Sequence, residues 1–122
     1  MEPKPPSPTT RQAGEAAEAL ACRYLEQQGL VLIEHNYRCR SGEVDLIMRD
    51  DDCLVFVEVR SRHNSRYGTP AETVTRTKQR RLCRAAAHYL LTHRCNAPCR
   101  FDVIAILQQQ KLEWIRDAFQ AG

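Results

Sequence analysis

The sequence predicts a mixed α/β domain in the element order α-β-β-β-α-β, with a further strand at the end. Two stretches of helically spaced apolar residues flank a strand-turn-strand pattern, that pattern carries the acidic tip Asp50-Asp51-Asp52, and an apolar strand-like run follows the second helical stretch. The chain of 122 residues has a 43 % hydrophobic content, enough for one core and hardly for two, so residues 9–122 read as a single domain.

Taken in order, Met1 to Pro8 holds Pro3, Pro5, Pro6 and Pro8 and too few apolar side chains to pack, so a disordered tail is expected there. The first helix is expected from Thr9. Thr9 and Gln12 have capping-box spacing, and Ala13, Ala16, Ala17, Leu20, Ala21, Tyr24 and Leu25 follow at helical intervals before the stop at Gly29. Leu30-Val31-Leu32-Ile33, running on toward Tyr37, reads as the first strand. After a turn at Arg40-Ser41-Gly42, Val44 to Arg49 reads as the second, with Val44, Leu46 and Met48 on one face. Cys53 to Arg60 is the third and most buried strand. Ser61 to Thr75 lacks periodicity and reads as a long loop. Leu82, Ala85, Ala86, Tyr89 and Leu90 place a second helix over about Thr75 to His93. Cys99 to Leu107 and Leu112 to Arg116 complete the strands. The second helix would be the crossover that brings the fourth strand in beside the sheet, an order that fits few two-layer plans.

Composition narrows the function classes. No apolar run approaches the ~20 residues of a membrane span, so no membrane partner is expected. No secretory signal is expected before the six cysteines and several lie inside regular elements with apolar neighbours, which suits reduced thiols in the cytoplasm. Cys95 and Cys99 form one close pair with no second pair to complete a zinc site. The 18 Lys and Arg against 15 Asp and Glu give a net charge of only +3, so charge distribution matters more than its sum.

The segment that points to chemistry is Gly42-Glu43-Val44-Asp45-Leu46-Ile47, followed beyond the tip by Val55-Phe56-Val57-Glu58-Val59-Arg60-Ser61-Arg62. A hairpin loop of two residues (Asp51-Asp52) or four (Asp50 to Cys53) puts Asp45 across from Glu58 and Glu43 across from Arg60, all four on one face. Two carboxylates this close in a half-buried sheet repel, and a divalent cation removes the conflict. Oxygen donors suit Mg²⁺ or Mn²⁺, which lower the pKa of bound water and offset charge on a phosphate. The plainer account is a set of cross-strand ion pairs, Glu43 with Arg60 or Glu58 with Arg62. Glu58 counts against it, since it interrupts an otherwise apolar strand where an uncompensated carboxylate costs several kcal/mol.

Gly14-Glu15, Gly42 to Ile47, Phe56 to Arg62, Gly68-Thr69-Pro70 and Phe101-Asp102-Val103 together resemble the YraN-like family of uncharacterised bacterial proteins. That family is grouped with the PD-(D/E)XK nucleases, near the archaeal Holliday-junction resolvases. The resemblance covers about Arg11 to Phe119 and implies a restriction-endonuclease-like core, a mixed sheet flanked by helices. It implies Asp45 and Glu58 as catalytic metal ligands and Glu15 as the helical glutamate completing the metal site. Arg60 would stand where the nuclease motif has lysine. An arginine stays protonated and cannot act as a base, although it can hold a phosphate. Glu15 also has a plain account as an acid complementing the start of a helix.

Basic charge concentrates between Arg60 and Arg84, where Arg62, Arg66, Arg76, Lys78, Arg80, Arg81 and Arg84 meet a single acid, Glu72. Cations in the opening turns of a helix oppose its dipole, so an anionic partner explains them better than helix stability does. Arg62, Arg66, Arg76, Lys78 and Arg81 are the expected nucleic-acid contacts, and Tyr67 could stack on a base. Three readings follow: a Mg²⁺- or Mn²⁺-dependent DNA endonuclease, with branched DNA suggested only by the resolvase likeness; a non-catalytic nucleic-acid-binding module, favoured by Arg60; and a protein-interaction domain whose acidic face meets a basic partner. Resolvases act as symmetric pairs, which brings in a homodimer, but no residue marks a dimer surface. Asp102 fits either a site role or support of a neighbouring loop.

Overall fold

The structure is a computed structural model and describes residues 10–61, 74–107 and 111–120. The expected tail, the Thr9 cap and most of the long loop, with Arg62, Arg66 and Tyr67, lie outside the described residues. The elements are α1 (Thr10–Gln27), β1 (Val31–Cys39), β2 (Gly42–Asp50), β3 (Cys53–Ser61), α2 (Arg76–Thr92), β4 (Cys99–Ile106) and β5 (Leu112–Phe119). The five strands form one sheet in chain order, antiparallel except for β3 and β4, which run parallel because α2 carries the chain across between them.

Local chemistry sets the element ends. Gly29 takes φ 97°, the left-handed conformation that closes a helix, and Leu30 N–H reaches back to the Leu25 carbonyl at 3.0 Å. At the other end of the hairpin the tip is the two-residue loop Asp51-Asp52, with Asp50 paired to Cys53 and Asp51 at φ 54°. Thr75 caps α2, its hydroxyl accepting the Lys78 N–H at 3.2 Å.

The sheet is covered on both faces, so the layers number three rather than two. Leu46, Met48, Val55, Val57, Ile104 and Ile106 pack under Ala21 and Leu25 of α1. Ile47, Leu54, Phe56 and Phe101 pack under Leu82, Ala85, Ala86 and Tyr89 of α2. Alternation in β3 delivers apolar residues to both sides, as expected of a strand buried on two faces.

One expectation for β2 fails. Val44 does not share a face with Leu46 and Met48; it packs in the α2 core while they pack under α1. A regular strand cannot do this with residues two apart. The change comes at Asp45: β2 keeps its register with β1 on either side of it, His35↔Leu46 and Tyr37↔Val44, whereas its pairing with β3 ends at Leu46↔Val57. Opposite the break, Asn36 has φ 52°, a conformation its short amide side chain tolerates.

At the β4–β5 end a buried carboxylate does structural work, which settles the place of Asp102. It is fully buried and accepts from Arg100 Nε (3.1 Å), Trp114 Nε1 (3.0 Å) and the Asp117 backbone N–H (2.9 Å). The last bond spans a register shift in β5, where Asp117 sits at φ 52°. Arg100 also reaches Asp50 at 2.9 Å, tying the hairpin tip to β4. Burial disfavours the Arg100 charge, but its bonds to Asp102 and Asp50 outweigh that and push its pKa up. Asp102→Ala would leave the half-buried Arg100 guanidinium with Asp50 alone and the Trp114 indole N–H without its acceptor, and is expected to lower unfolding free energy by about 2–4 kcal/mol in urea denaturation; a loss within experimental error would refute this role.

Candidate active site

The break at Asp45 opens a notch between the two helices. A cavity of ≈ 470 Å³ there is walled by Gly14, Ala17 and Glu18 of α1, by Glu43, Asp45, Glu58, Val59 and Ser61 of the hairpin, and by Lys78 and Arg81 of α2. Freed from the ladder, the Asp45 carboxylate accepts the Val59 backbone N–H at 2.8 Å, replacing a strand-to-strand bond with one to a side chain. Glu58 continues the α2-facing alternation of Leu54 and Phe56, and its carboxyl shares a hydrogen bond with Asp45. The two acids anticipated to face each other are thus brought together.

Their titration reflects the crowding. Burial, then the charge of Asp45, pushes Glu58 up to about 8, against the partial relief given by Lys78 and Arg60. Burial also raises Asp45, offset by the Val59 N–H and by the bond with Glu58. The shared proton therefore stays on Glu58, which donates to an ionised Asp45. Lys78 Nζ lies 3.9 Å from Glu58 Oε1; the Glu58 side chain is 14 % exposed and that of Lys78 52 %.

Other anticipated site residues are distributed differently. Glu15 is outside this cavity, exposed, and ion-paired with Arg11 at 3.2 Å in the second turn of α1. Its place is taken by Glu18, which sequence reasoning passed over. Burial, then the nearby Asp45 charge, raises the Glu18 pKa, against partial relief from Asn36 and His35. A signal existed: Glu18 precedes Ala21 by three residues and Leu25 by seven, which sets it on the buried stripe of α1. Glu43 walls the cavity but does not pair with Arg60, because the ladder has ended; its Oε2 lies 3.8 Å from Arg38 Nε. Arg60 is half-buried on β3 and contributes charge near Glu58 without walling the cavity.

The basic residues of α2 divide by helix face. Lys78 and Arg81 turn toward the carboxyls, whereas Arg76, Arg80 and Arg84, four residues apart, line a separate depression with Cys83 and Gln120. Gly42 explains how α2 comes so close. A β-carbon there would collide with the Arg81 carbonyl oxygen and meet its carbon at 2.7 Å, so only glycine lets the helix backbone rest on β2.

An all-oxygen donor pair suits a hard cation such as Mg²⁺ or Mn²⁺. Glu18 meets Asp45, but among the described residues no three His, Cys, Asp or Glu side chains stand ready around one point. An ion here would take Asp45 and Glu58 and complete its shell with water or phosphate, a usual arrangement for Mg²⁺.

The model of the uncharacterised protein family UPF0102 matches residues 17–106. A UPF0102 protein of Cupriavidus metallidurans is 55 % identical over 123 residues, covering 100 % of this chain and 90 % of that one. One from Nitrosomonas europaea is 53 % identical, covering 87 % and 92 %, and one from Legionella pneumophila is 45 % identical, covering 93 % and 98 %.

Two predictions follow from this geometry. Gly42→Ala is expected to cost about 1–3 kcal/mol as an overpacked contact and to push α2 off the sheet, seen as a lowered urea midpoint. For Glu58, a pKa raised from 4.5 to about 8 means the folded protein holds a proton the unfolded chain has lost between those values. Its stabilising share is present below pH 4.5 and disappears as pH rises through 8. Metal-free protein should therefore lose up to about a few kcal/mol between pH 5 and 8.5. Glu58→Gln should flatten that profile; an equal slope in both proteins would show that Glu58 does not hold the proton.

Proposed function

The chain belongs to UPF0102, the uncharacterised bacterial family its motifs point to, and from the chemistry of its site we propose that it is a Mg²⁺- or Mn²⁺-dependent phosphodiesterase acting on DNA. The observation that carries this reading is the Asp45–Glu58 pair, two crowded carboxyls of which one keeps its proton, beside Lys78 and Arg81. Structural ion-pair networks discharge such strain with a buried arginine, as Asp102 does with Arg100; this pair does not.

In this reading Asp45 and Glu58 would hold the cation, with Glu58 deprotonated and its proton released to solvent. The bound ion would supply activated water and charge stabilisation at the scissile phosphate. Lys78 then exchanges its loose contact with Glu58 for a phosphate oxygen, and Arg81 holds the same backbone. Arg60, permanently charged, steadies developing charge but takes no proton. Glu18 walls the same cavity and adds negative charge beside Asp45. Arg76, with Arg80 and Arg84, offers phosphate contacts away from the site that bind without reading sequence. All six cysteines are free thiols, which suits a reducing compartment such as the cytoplasm. Among the described residues no helix is long and apolar enough to cross a membrane.

A second reading keeps the binding and drops the cleavage. It is favoured by Arg60 in place of a lysine and by the absence, among the described residues, of a ready three-ligand cluster.

Purified protein incubated with Mn²⁺ and single-stranded, duplex and branched DNA is expected to cut at least one of them, with Asp45→Ala and Glu58→Ala inactive. Mn²⁺ should also raise the thermal midpoint of the parent protein at pH 8 and leave that of Asp45→Ala unchanged. No cleavage above the double-alanine control, with salt-dependent binding that falls in Lys78→Ala, would select the binding module. Neither cleavage nor binding would refute both readings.

A further inference from the structure

The nuclease reading leaves one neighbouring cavity unused. It lies between α1 and β1, has a volume of ≈ 400 Å³, and is walled by Ala19, Cys22, Leu32 and Leu46 together with the polar residues Glu15, Glu18, His35 and Asn36. It forms because α1 seats its buried residues Ala21 and Leu25 on the middle of the sheet, while β1 shifts register between Leu32 and Glu34 and bends at Asn36. Apolar walls with a few polar groups on one rim describe a site for a flat heterocycle.

Glu18 ties this cleft to the carboxyl pair. It walls the cleft, the Asp45–Glu58 cavity and a third depression of ≈ 450 Å³ that also holds Arg11 and Arg38. Both arginines are exposed, and their ion pairs with Glu15 and Glu43 are of the loose surface kind. A strand with one phosphate at Asp45 and Glu58 would have a base-sized cleft on one side and two cations beyond it.

We propose that this cleft receives an unpaired nucleobase from the strand whose phosphate lies at Asp45 and Glu58; the proposal rests on the nucleic-acid reading above and narrows its substrate to strands with a base already out of the helix. The rim chooses among bases. The Glu18 carboxyl accepts from an exocyclic amino group, while the imidazole of His35 and the amide of Asn36 both donate and accept. Adenine, cytosine and guanine carry that amino group and thymine does not.

The test uses duplexes carrying one 2-aminopurine, which keeps an exocyclic amino group, either paired or as a single-base bulge, with Ca²⁺ in place of Mn²⁺ so that the site is occupied and nothing is cut. The bulged duplex should bind at least about tenfold more tightly, since its base needs no extraction from the stack, and 2-aminopurine emission should change on binding. Ala19→Trp, at an exposed helix position, should fill the cleft and erase the preference while leaving affinity for the paired duplex intact. His35→Ala should weaken only the bulged complex. Equal affinity for the two duplexes, or a preference that survives Ala19→Trp, overturns the inference. Mn²⁺-dependent cleavage alongside equal affinities would sink the base cleft and keep the nuclease. Binding of neither duplex together with no cleavage would sink both, and a preference without cleavage would support the cleft in a protein that only binds.

Discussion

Burial and the charge of Asp45 keep Glu58 protonated up to about pH 8, and that electrostatic conflict between two neighbouring carboxyls organises the surrounding residues. Sequence alternation drives Glu58 onto the α2 side of a strand whose other residues are buried there, and the break in β2 swings Asp45 toward it. With water largely excluded, their repulsion is stronger than on an open surface, and a proton on Glu58 is the only relief the chain itself supplies in full. Lys78 gives partial relief from 3.9 Å, too far for a close ion pair.

Asp102 shows what the same residue type looks like when the protein satisfies it. It is more deeply buried than Glu58, yet Arg100, Trp114 and the Asp117 N–H fill its acceptor positions, and the neighbouring Asp50 carboxylate is held apart by the Arg100 guanidinium that bonds both. The fold therefore has the means to neutralise a buried acid within the sheet. It does so at the β4–β5 end and leaves the work undone at the notch. Close contact between Gly42 and the Arg81 backbone, and the Thr75 cap on Lys78, fix α2 so that its cations face the unsatisfied pair instead of covering it.

Much of this was legible in the chain. Strand alternation and an even hairpin loop were enough to bring Asp45 and Glu58 together, because register is a discrete variable that the acidic tip settles. Helix rotation is continuous, and there the reading went astray: the motif resemblance pointed to Glu15, whereas the burial of Ala21 and Leu25 turns Glu18 inward. The flip of Val44 was harder to see. It depends on Asn36 adopting a left-handed conformation across the sheet from Asp45, and nothing adjacent to Val44 announces a break. Likewise, the partner anticipated for Glu43 was Arg60 on the next strand, but the ladder stops early and Arg38 takes the contact. Local pattern gave the elements; where the ladders end is a property of three strands at once.

Charge counting gives the proposed chemistry its internal consistency. Without an ion, one negative charge on Asp45 faces the two positive charges of Lys78 and Arg81, with Glu58 neutral, so part of the cationic charge is already matched. A divalent ion that displaces the Glu58 proton is matched by two carboxylates, which leaves Lys78 and Arg81 with no local partner. Those cations are then free for two neighbouring phosphates of an anionic strand, and the notch is near balance once the strand is seated. On this account ion and strand favour each other: either one alone leaves charge uncompensated in a half-buried space, and together they do not. Glu58 is the residue through which that coupling acts, since its proton is what the ion must replace.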